Sequence, residues 1–107
     1  MNLAAPETLA ATIRERRTAS ADKSYTRQLL DAGTPKCAKK LGEEATEVVI
    51  AALGEDDAAL HGEAADLLYH LLVLLESRYT GLAPVLDVLA ARHGISGITE
   101  KASRNQS

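Results

Sequence analysis

The sequence predicts an all-α protein of four to five helices, and three observations support this fold class. The 107 residues include no Trp, no Phe and only three Tyr, although 46% are hydrophobic. The core must therefore consist of Leu, Val, Ile and Ala, and Ala and Leu favour helices whereas strands favour aromatic and β-branched residues. Capping residues, prolines and glycines divide the chain at helix-length intervals, and no segment is a convincing strand. The length is that of one domain, residues 1–107.

The predicted helices span, in chain order, residues 6–17, 25–31, 36–53, 58–79 and 83–93. Pro6 suits the first turn of helix one. Ser24 can cap helix two, and Gly33 ends it. Thr34 and Pro35 then start helix three as its cap and its first helical residue. These boundaries follow from capping and helix-breaking residues in the local sequence.

Helices three and four are joined by a tight acidic connection. Gly54 ends helix three, and Glu55, Asp56 and Asp57 supply caps for helix four, which Gly81 stops. Because the connection is short, the two helices should pack antiparallel.

Helix four is apolar on nearly its whole circumference, since six leucines and one valine occur within residues 67–75. A helix that is apolar all round must be buried all round, and a chain of this length has few helices to surround it. We therefore expect a homodimer, and the alternative is wrapping by helices one, two and five of the same chain. The apolar stretch is too short to span a bilayer and contains Asp66 and His70, so no membrane partner is expected.

The charge and cysteine content favour a cytoplasmic protein with a small anionic substrate. The net charge is −3 and the sequence has no long basic stripe, so a nucleic-acid partner is not expected. Cys37 is the only cysteine, which excludes an intramolecular disulfide and fits a reducing compartment. We expect Cys37 to be an ordinary core residue. The N-terminus has no signal-peptide pattern.

Helix three carries three candidate metal ligands, Glu43, Glu44 and Glu47. At about 100° per residue, Glu47 lies roughly 40° and Glu44 roughly 100° from Glu43, so all three point to one side. An ordinary solvated acidic face is the alternative. The opposite side is predicted to be apolar and to consist of Ala38, Leu41, Ala45, Val48 and Ala52.

Helix four makes a metal site the stronger interpretation. Glu63 and Asp66 are three residues apart and lie within or beside an apolar surface, where an unpaired carboxylate is costly. Acids from both helices can converge, and four or five carboxylates without cysteine favour Mg²⁺ or Mn²⁺. Di-iron carboxylate bundles use Glu-x-x-His pairs, which the sequence lacks. His70 is expected to support a ligand by hydrogen bonding to a carboxylate.

The motif Glu43-Glu44-x-x-Glu47 followed by Glu63-x-x-Asp66 resembles the metal signature of the all-α, MazG-like nucleoside triphosphate pyrophosphohydrolases. Residues 24–30, 39–44, 65–70 and 96–104 together resemble the phosphoribosyl-ATP pyrophosphohydrolase family. The resemblance implies a homodimeric, Mg²⁺-dependent enzyme of histidine biosynthesis that hydrolyses phosphoribosyl-ATP to phosphoribosyl-AMP and pyrophosphate. It also implies catalytic and metal-binding roles for the five acids.

The resemblance further suggests substrate contacts, on phosphate or on the nucleotide, for Ser24, Tyr25, Lys39, Lys40, Lys101 and Arg104. For the lysines of helix three, ion pairing with the neighbouring glutamates remains an alternative. For Ser24 and Tyr25 the alternative is a plain helix cap followed by a packed aromatic residue, and for Lys101 and Arg104 it is a solvated basic end. Two other functions also stay open. One is a house-cleaning pyrophosphohydrolase that acts on free nucleoside triphosphates. The other is a non-enzymatic helical dimerisation module whose acids only solubilise it.

Overall fold

The computed structural model describes residues 5–20 and 24–93, and this part of the chain forms five α-helices and no strand. The all-α prediction is confirmed. A short 3₁₀ turn, Arg16–Thr18, follows the first helix. The helices are α1 (Ala5–Glu15), α2 (Tyr25–Ala32), α3 (Thr34–Gly54), α4 (Asp57–Ser77) and α5 (Leu82–His93).

Helices α3 and α4 form the long hairpin to which the other elements attach. Each has 21 residues, and among the described elements their mutual contact is the most extensive. Only Glu55 and Asp56 separate them. The Asp56 carboxylate accepts a hydrogen bond from the Ala59 backbone N–H at 2.9 Å, as expected of an N-cap. The predicted acidic connection therefore does supply the cap that starts α4.

The core lies where α1 and α2 pack on one end of this hairpin. Its buried members are Ile13, Leu29, Cys37, Leu72 and Val73. Cys37 is 1% exposed, as expected of a core residue, and its thiol donates a hydrogen bond to the Leu29 carbonyl at 3.2 Å. Burial raises the pKa of this thiol, so it stays protonated and unreactive at neutral pH.

The ends of α2 follow the predicted capping chemistry, whereas the start of α3 does not. The Ser24 hydroxyl accepts a hydrogen bond from the Arg27 backbone N–H at 3.1 Å. Gly33 has φ +95°, a conformation that favours glycine. The prediction that Thr34 caps α3 is wrong, because Thr34 is already helical and Gly33 occupies the cap position. The Thr34 hydroxyl instead lies 3.0 Å from the Ser77 hydroxyl and joins the start of α3 to the end of α4.

Helix α4 ends at Ser77, two residues before the predicted Tyr79. Tyr79 has φ +59°, and its N–H donates to the Glu76 carbonyl while the Thr80 N–H donates to the Leu75 carbonyl. These two bonds form a Schellman motif, whose left-handed position is normally glycine. The sequence predicts the end of this helix at Gly81, because no local pattern indicates that a tyrosine will adopt a left-handed conformation.

One chain does not fully surround α4 within the described residues. Leu72 and Val73 are buried, but Leu68 is 57% exposed. On α3, Leu53 is 84% exposed, and Val49 and Ile50 are also exposed. Within residues 5–20 and 24–93, the other helices therefore cover only part of the apolar surface of the α3–α4 hairpin. By length and composition alone α4 is apolar enough to cross a membrane, a test that core helices of soluble proteins also pass.

Candidate active site

Three acidic side chains of the α3–α4 hairpin lie together. Glu44 of α3, and Glu63 and Asp66 of α4, each place a carboxylate oxygen within 4.8 Å of the other two. Glu63 and Asp66 lie on one face of α4 because they are three residues apart. The tight antiparallel connection then turns that face toward Glu44.

The face of α3 that meets α4 differs from the predicted one. Glu44 was expected on the side opposite an apolar stripe, but it is half-buried, whereas Ala45 and Ala52 of that stripe are exposed. Cys37 and Ala51, each 1% exposed, mark the buried line. Glu44 lies seven residues from both, which is about two helical turns, so it shares their side of the helix. The positions of the apolar residues alone do not indicate which face of α3 packs against α4.

Glu63 is partly buried and has several acidic neighbours. Partial burial, and then the charges of Glu47, Asp66 and Glu44, raise the pKa of the Glu63 carboxyl above its ordinary value of 4.5. Glu47 is exposed and does not belong to the group of three, yet its negative charge contributes to the raised pKa of Glu63. Accumulated like charge of this kind is relieved when a cation binds.

Glu43 differs from the other predicted ligands because its carboxylate forms an ion pair with a lysine. The Lys40 ammonium lies 3.3 Å from the Glu43 carboxylate, one turn along α3. This hydrogen-bonded pair, and then the phenol of Tyr25, raise the pKa of Lys40. Lys39 is exposed at the preceding position. Lys40 is therefore a charged group beside the acids, as expected of a residue that contacts phosphate.

An aromatic cluster borders the acids. The rings of Tyr25 and Tyr69 are stacked with centroids 6.4 Å apart, and His70 meets both rings edge-on. The Tyr25 hydroxyl lies 3.5 Å from His70 Nε2, while the hydroxyls of Tyr69 and Thr26 form a hydrogen bond with each other. His70 Nδ1 lies 2.9 Å from the backbone carbonyl oxygen of Asp66. The expectation that His70 bonds to a carboxylate is thus wrong, because the nearest acceptor is the carbonyl one turn earlier.

The remaining predicted substrate-binding residues have different surroundings. Ser24 is 5% exposed and caps α2, whereas its neighbour Tyr25 is 49% exposed and accessible to a ligand. Lys101 and Arg104 lie outside the described residues, so their roles stay predictions. Tyr69 was not singled out from the sequence, although its position three residues after Asp66 is a sign that the two share a face.

The converging residues fit a hard divalent cation. All three offer carboxylate oxygens, the ligands that Mg²⁺ and Mn²⁺ prefer. One carboxylate oxygen of each residue lies within 4.8 Å of the others, so these three side chains would be the ones to hold such a cation. After burial, the negative charges of Glu47, Asp66 and Glu44 contribute to the raised pKa of Glu63, and a bound cation would offset these charges.

Comparison with known proteins gives one consistent match. Residues 7–93 match the model of the phosphoribosyl-ATP pyrophosphohydrolase family. The phosphoribosyl-ATP pyrophosphatase of Cereibacter sphaeroides (strain ATCC 17029) is 55% identical, over 92% of this chain and 95% of that protein. The one from Dinoroseobacter shibae is 56% identical over 90% and 94%, respectively. Phosphoribosyl-ATP pyrophosphatase 1 of Bradyrhizobium diazoefficiens is 54% identical over 92% of both chains. The family match ends before Lys101 and Arg104, so it does not depend on the C-terminal motif.

Proposed function

Since the chain belongs to the phosphoribosyl-ATP pyrophosphohydrolase family, it hydrolyses phosphoribosyl-ATP to phosphoribosyl-AMP and pyrophosphate in histidine biosynthesis, and we propose that it does so with Mg²⁺ held between α3 and α4. Mn²⁺ would serve as a substitute, because it accepts the same oxygen ligands. The whole chain acts as one pyrophosphohydrolase domain.

The convergence of three carboxylates carries this proposal. Glu44, Glu63 and Asp66 offer oxygens within 4.8 Å of one another, and we assign them as the metal ligands. A divalent cation bound there supplies Lewis-acid stabilisation of the charge on the phosphate oxygens. Glu47 and Glu43 are the remaining acids of the motif, and each is a candidate to accept the proton of the attacking water.

Basic groups at the edge of the acids are proposed to hold the substrate phosphates. Lys40 is tethered by Glu43, with its ammonium beside the acids, and Lys39 is exposed next to it. Tyr25 offers a half-exposed ring to the nucleotide, and Ser24 fixes the start of the helix that carries this ring. Lys101 and Arg104 would add cationic contacts from the C-terminal segment.

We also propose that two chains form the working enzyme. Both helices of the hairpin expose apolar side chains, namely Leu68 on α4 and Val49, Ile50 and Leu53 on α3. A second copy of the chain would bury this surface without any further partner. An acidic chain without a basic stripe gives no reason to expect a nucleic-acid partner. The free cysteine and the soluble substrate favour the cytoplasm, with no membrane partner.

The test is a pyrophosphate-release assay with phosphoribosyl-ATP, with and without Mg²⁺, beside the variants Glu63→Gln and Glu47→Gln. We expect Glu63→Gln to abolish most activity and to leave the metal-free melting temperature unchanged or higher, because it removes a repelled charge without changing the shape. Glu15→Gln, on the exposed end of α1, is the matched control and should behave as the unmodified protein.

Each part of the proposal fails on a different result. Full turnover after all divalent cations are removed would overturn the metal proposal. Full activity of Glu47→Gln would remove Glu47 from the catalytic set. Turnover of ATP as fast as phosphoribosyl-ATP would place the chain with enzymes that act on free nucleoside triphosphates.

A further inference from the structure

An open cavity lies at the C-terminal end of α4, away from the acidic cluster. It has a volume of about 550 Å³ and is lined by residues of α1, of the 3₁₀ turn and of the turn between α4 and α5. Glu76, which is part of its lining, follows Asp66 by ten residues on α4, which is about 15 Å along the helix axis. Small-molecule sites have volumes of this order. The cavity is therefore separate from the proposed metal site and large enough for a ligand.

The charged side chains that line the cavity leave one positive charge in excess. Glu76 is 7% exposed, and Arg17 holds it through Nε, 2.5 Å from one carboxylate oxygen, and through a hydrogen bond to the Glu76 backbone carbonyl. Arg14 Nε lies 3.8 Å from the other carboxylate oxygen, which is too long for a hydrogen bond. The Arg14 side chain is 66% exposed. Two guanidinium groups thus share one carboxylate, and Arg14 is accessible to a second anion.

Gly81 gives the Arg14 guanidinium its room beside the turn. A Cβ at Gly81 would lie 3.3 Å from a terminal nitrogen of Arg14, a tight contact that glycine avoids. The guanidinium therefore lies directly against the backbone of the turn between α4 and α5. A ligand held by Arg14 would contact α1 and this turn together.

An exposed aromatic ring forms another wall of the cavity. Tyr79 is 83% exposed, and the Arg17 guanidinium lies over one side of its ring at 4.1 Å from the centroid. The other side is open, because a ring covered on both sides would not have so large an exposed fraction. Tyr79 also has φ +59°, and non-glycine residues in this conformation are held by their surroundings and cluster at ligand-binding sites. The ring is thus a fixed and accessible surface for stacking.

We propose that this cavity is a second binding site, for a small nucleotide whose phosphate contacts Arg14 and whose base stacks on the open side of Tyr79. Guanidinium groups match phosphate oxygens in geometry as well as in charge. Every base has a flat face that can stack on an aromatic side chain, so the ligand is defined by its class, a planar ring that carries a phosphate. The site does not depend on the proposed metal ligands, since Glu44, Glu63 and Asp66 are not part of its lining.

The test is isothermal titration calorimetry of adenosine monophosphate with the whole chain in EDTA, so that no divalent cation holds the phosphate at the acids. We expect Arg14→Gln to raise Kd about tenfold, because a charge-assisted hydrogen bond is lost. Tyr79→Asn should raise Kd about fivefold or more through the loss of stacking, and Asn tolerates a positive φ. Adenosine should bind more weakly than its monophosphate, because it offers no anion to Arg14.

Three variants serve as controls. Arg92→Gln removes an exposed charge of the same kind from the last turn of α5. Arg92 is not part of the cavity lining, so Kd should stay unchanged. Lys40→Met and Glu63→Gln alter the proposed active site and should also leave Kd unchanged.

Three results would overturn the inference, and each leaves the proposed function intact. If adenosine monophosphate does not bind at millimolar concentration, the cavity is not a nucleotide site. If Lys40→Met or Glu63→Gln weakens binding and Arg14→Gln does not, the nucleotide binds only at the active site. If inorganic phosphate binds as tightly as the monophosphate and Tyr79→Asn has no effect on Kd, the cavity holds a simple anion and the ring is not part of the site.

Discussion

Replacing Arg17 by Met should destabilise the protein strongly, because Arg17 neutralises a buried carboxylate at the end of α4. Glu76 is 7% exposed, and Arg17 Nε lies 2.5 Å from its carboxylate. The same guanidinium donates to the Glu76 backbone carbonyl and lies over the Tyr79 ring at 4.1 Å from its centroid. This one side chain therefore ties the 3₁₀ turn after α1 to the left-handed turn that ends α4.

The magnitude follows from the burial of the two partners. Breaking a fully buried ion pair costs about 3–5 kcal/mol, but the Arg17 side chain is 26% exposed and Arg14 stays 3.8 Å from the carboxylate. The Arg14 side chain is 66% exposed, so solvent screens its compensation. We expect a loss of about 2–3 kcal/mol, including about 0.5–1 kcal/mol from the contact with Tyr79. At about 4–8 °C per kcal/mol this is a drop in melting temperature of about 10–20 °C.

The assay is thermal unfolding at one protein concentration, because any association of chains makes the melting temperature depend on concentration. The double variant Arg17→Met/Glu76→Met should recover much of the loss, since it leaves no buried charge unpaired. At low temperature kcat and KM should match those of the unmodified protein. If Arg17→Met melts within about 3 °C of the unmodified protein, or if the double variant is less stable than Arg17→Met alone, then Arg17 does not stabilise the fold by neutralising Glu76.

Three further predictions follow from the structure. Gly33→Ala should lower the free energy of unfolding by about 1–3 kcal/mol, measured by urea denaturation, because φ +95° strains any residue with a Cβ. In the metal-free protein, the raised pKa of Glu63 means that the folded state binds a proton at this carboxyl more readily than the unfolded state. The ionised carboxylate therefore lowers the free energy of unfolding at neutral pH, and this penalty shrinks as the pH falls toward 4.5. The melting temperature of Glu63→Gln should therefore exceed that of the unmodified protein by the largest margin at neutral pH. A difference in melting temperature that stays constant with pH would contradict this. Leu68→Glu should convert a dimer to monomers in light scattering, because it places a charge in the exposed apolar surface of α4, and a stable monomer before mutation would contradict the dimer.

Sequence reasoning worked best where the deciding interactions are local. The Ser24 cap, the Gly33 stop and the Asp56 cap each depend on backbone and side-chain groups within a few residues. Residue type and spacing were therefore sufficient to predict them. The all-α class followed in the same way from an aliphatic, alanine-rich composition.

Features that depend on another element could not be read from the sequence. Glu44 was assigned to the wrong face because the buried line of α3 is set by where α4 packs. The end of α4 was misplaced because Tyr79 adopts a left-handed conformation that glycine usually occupies, with Arg17 packed over its ring. The contact between Tyr25 and His70 joins residues 45 positions apart, so no local sequence pattern predicts it.

Anomalous diffraction from crystals grown with Mn²⁺ would locate the cation between α3 and α4 without reference to activity. We expect a peak between Glu44, Glu63 and Asp66, with an oxygen of each at ordinary coordination distance and with Glu43 still paired to Lys40. The same crystals of Glu63→Gln should show a weakened or absent peak. A fully occupied Mn²⁺ bound elsewhere, with these three carboxylates left apart from it, would contradict a metal site between α3 and α4.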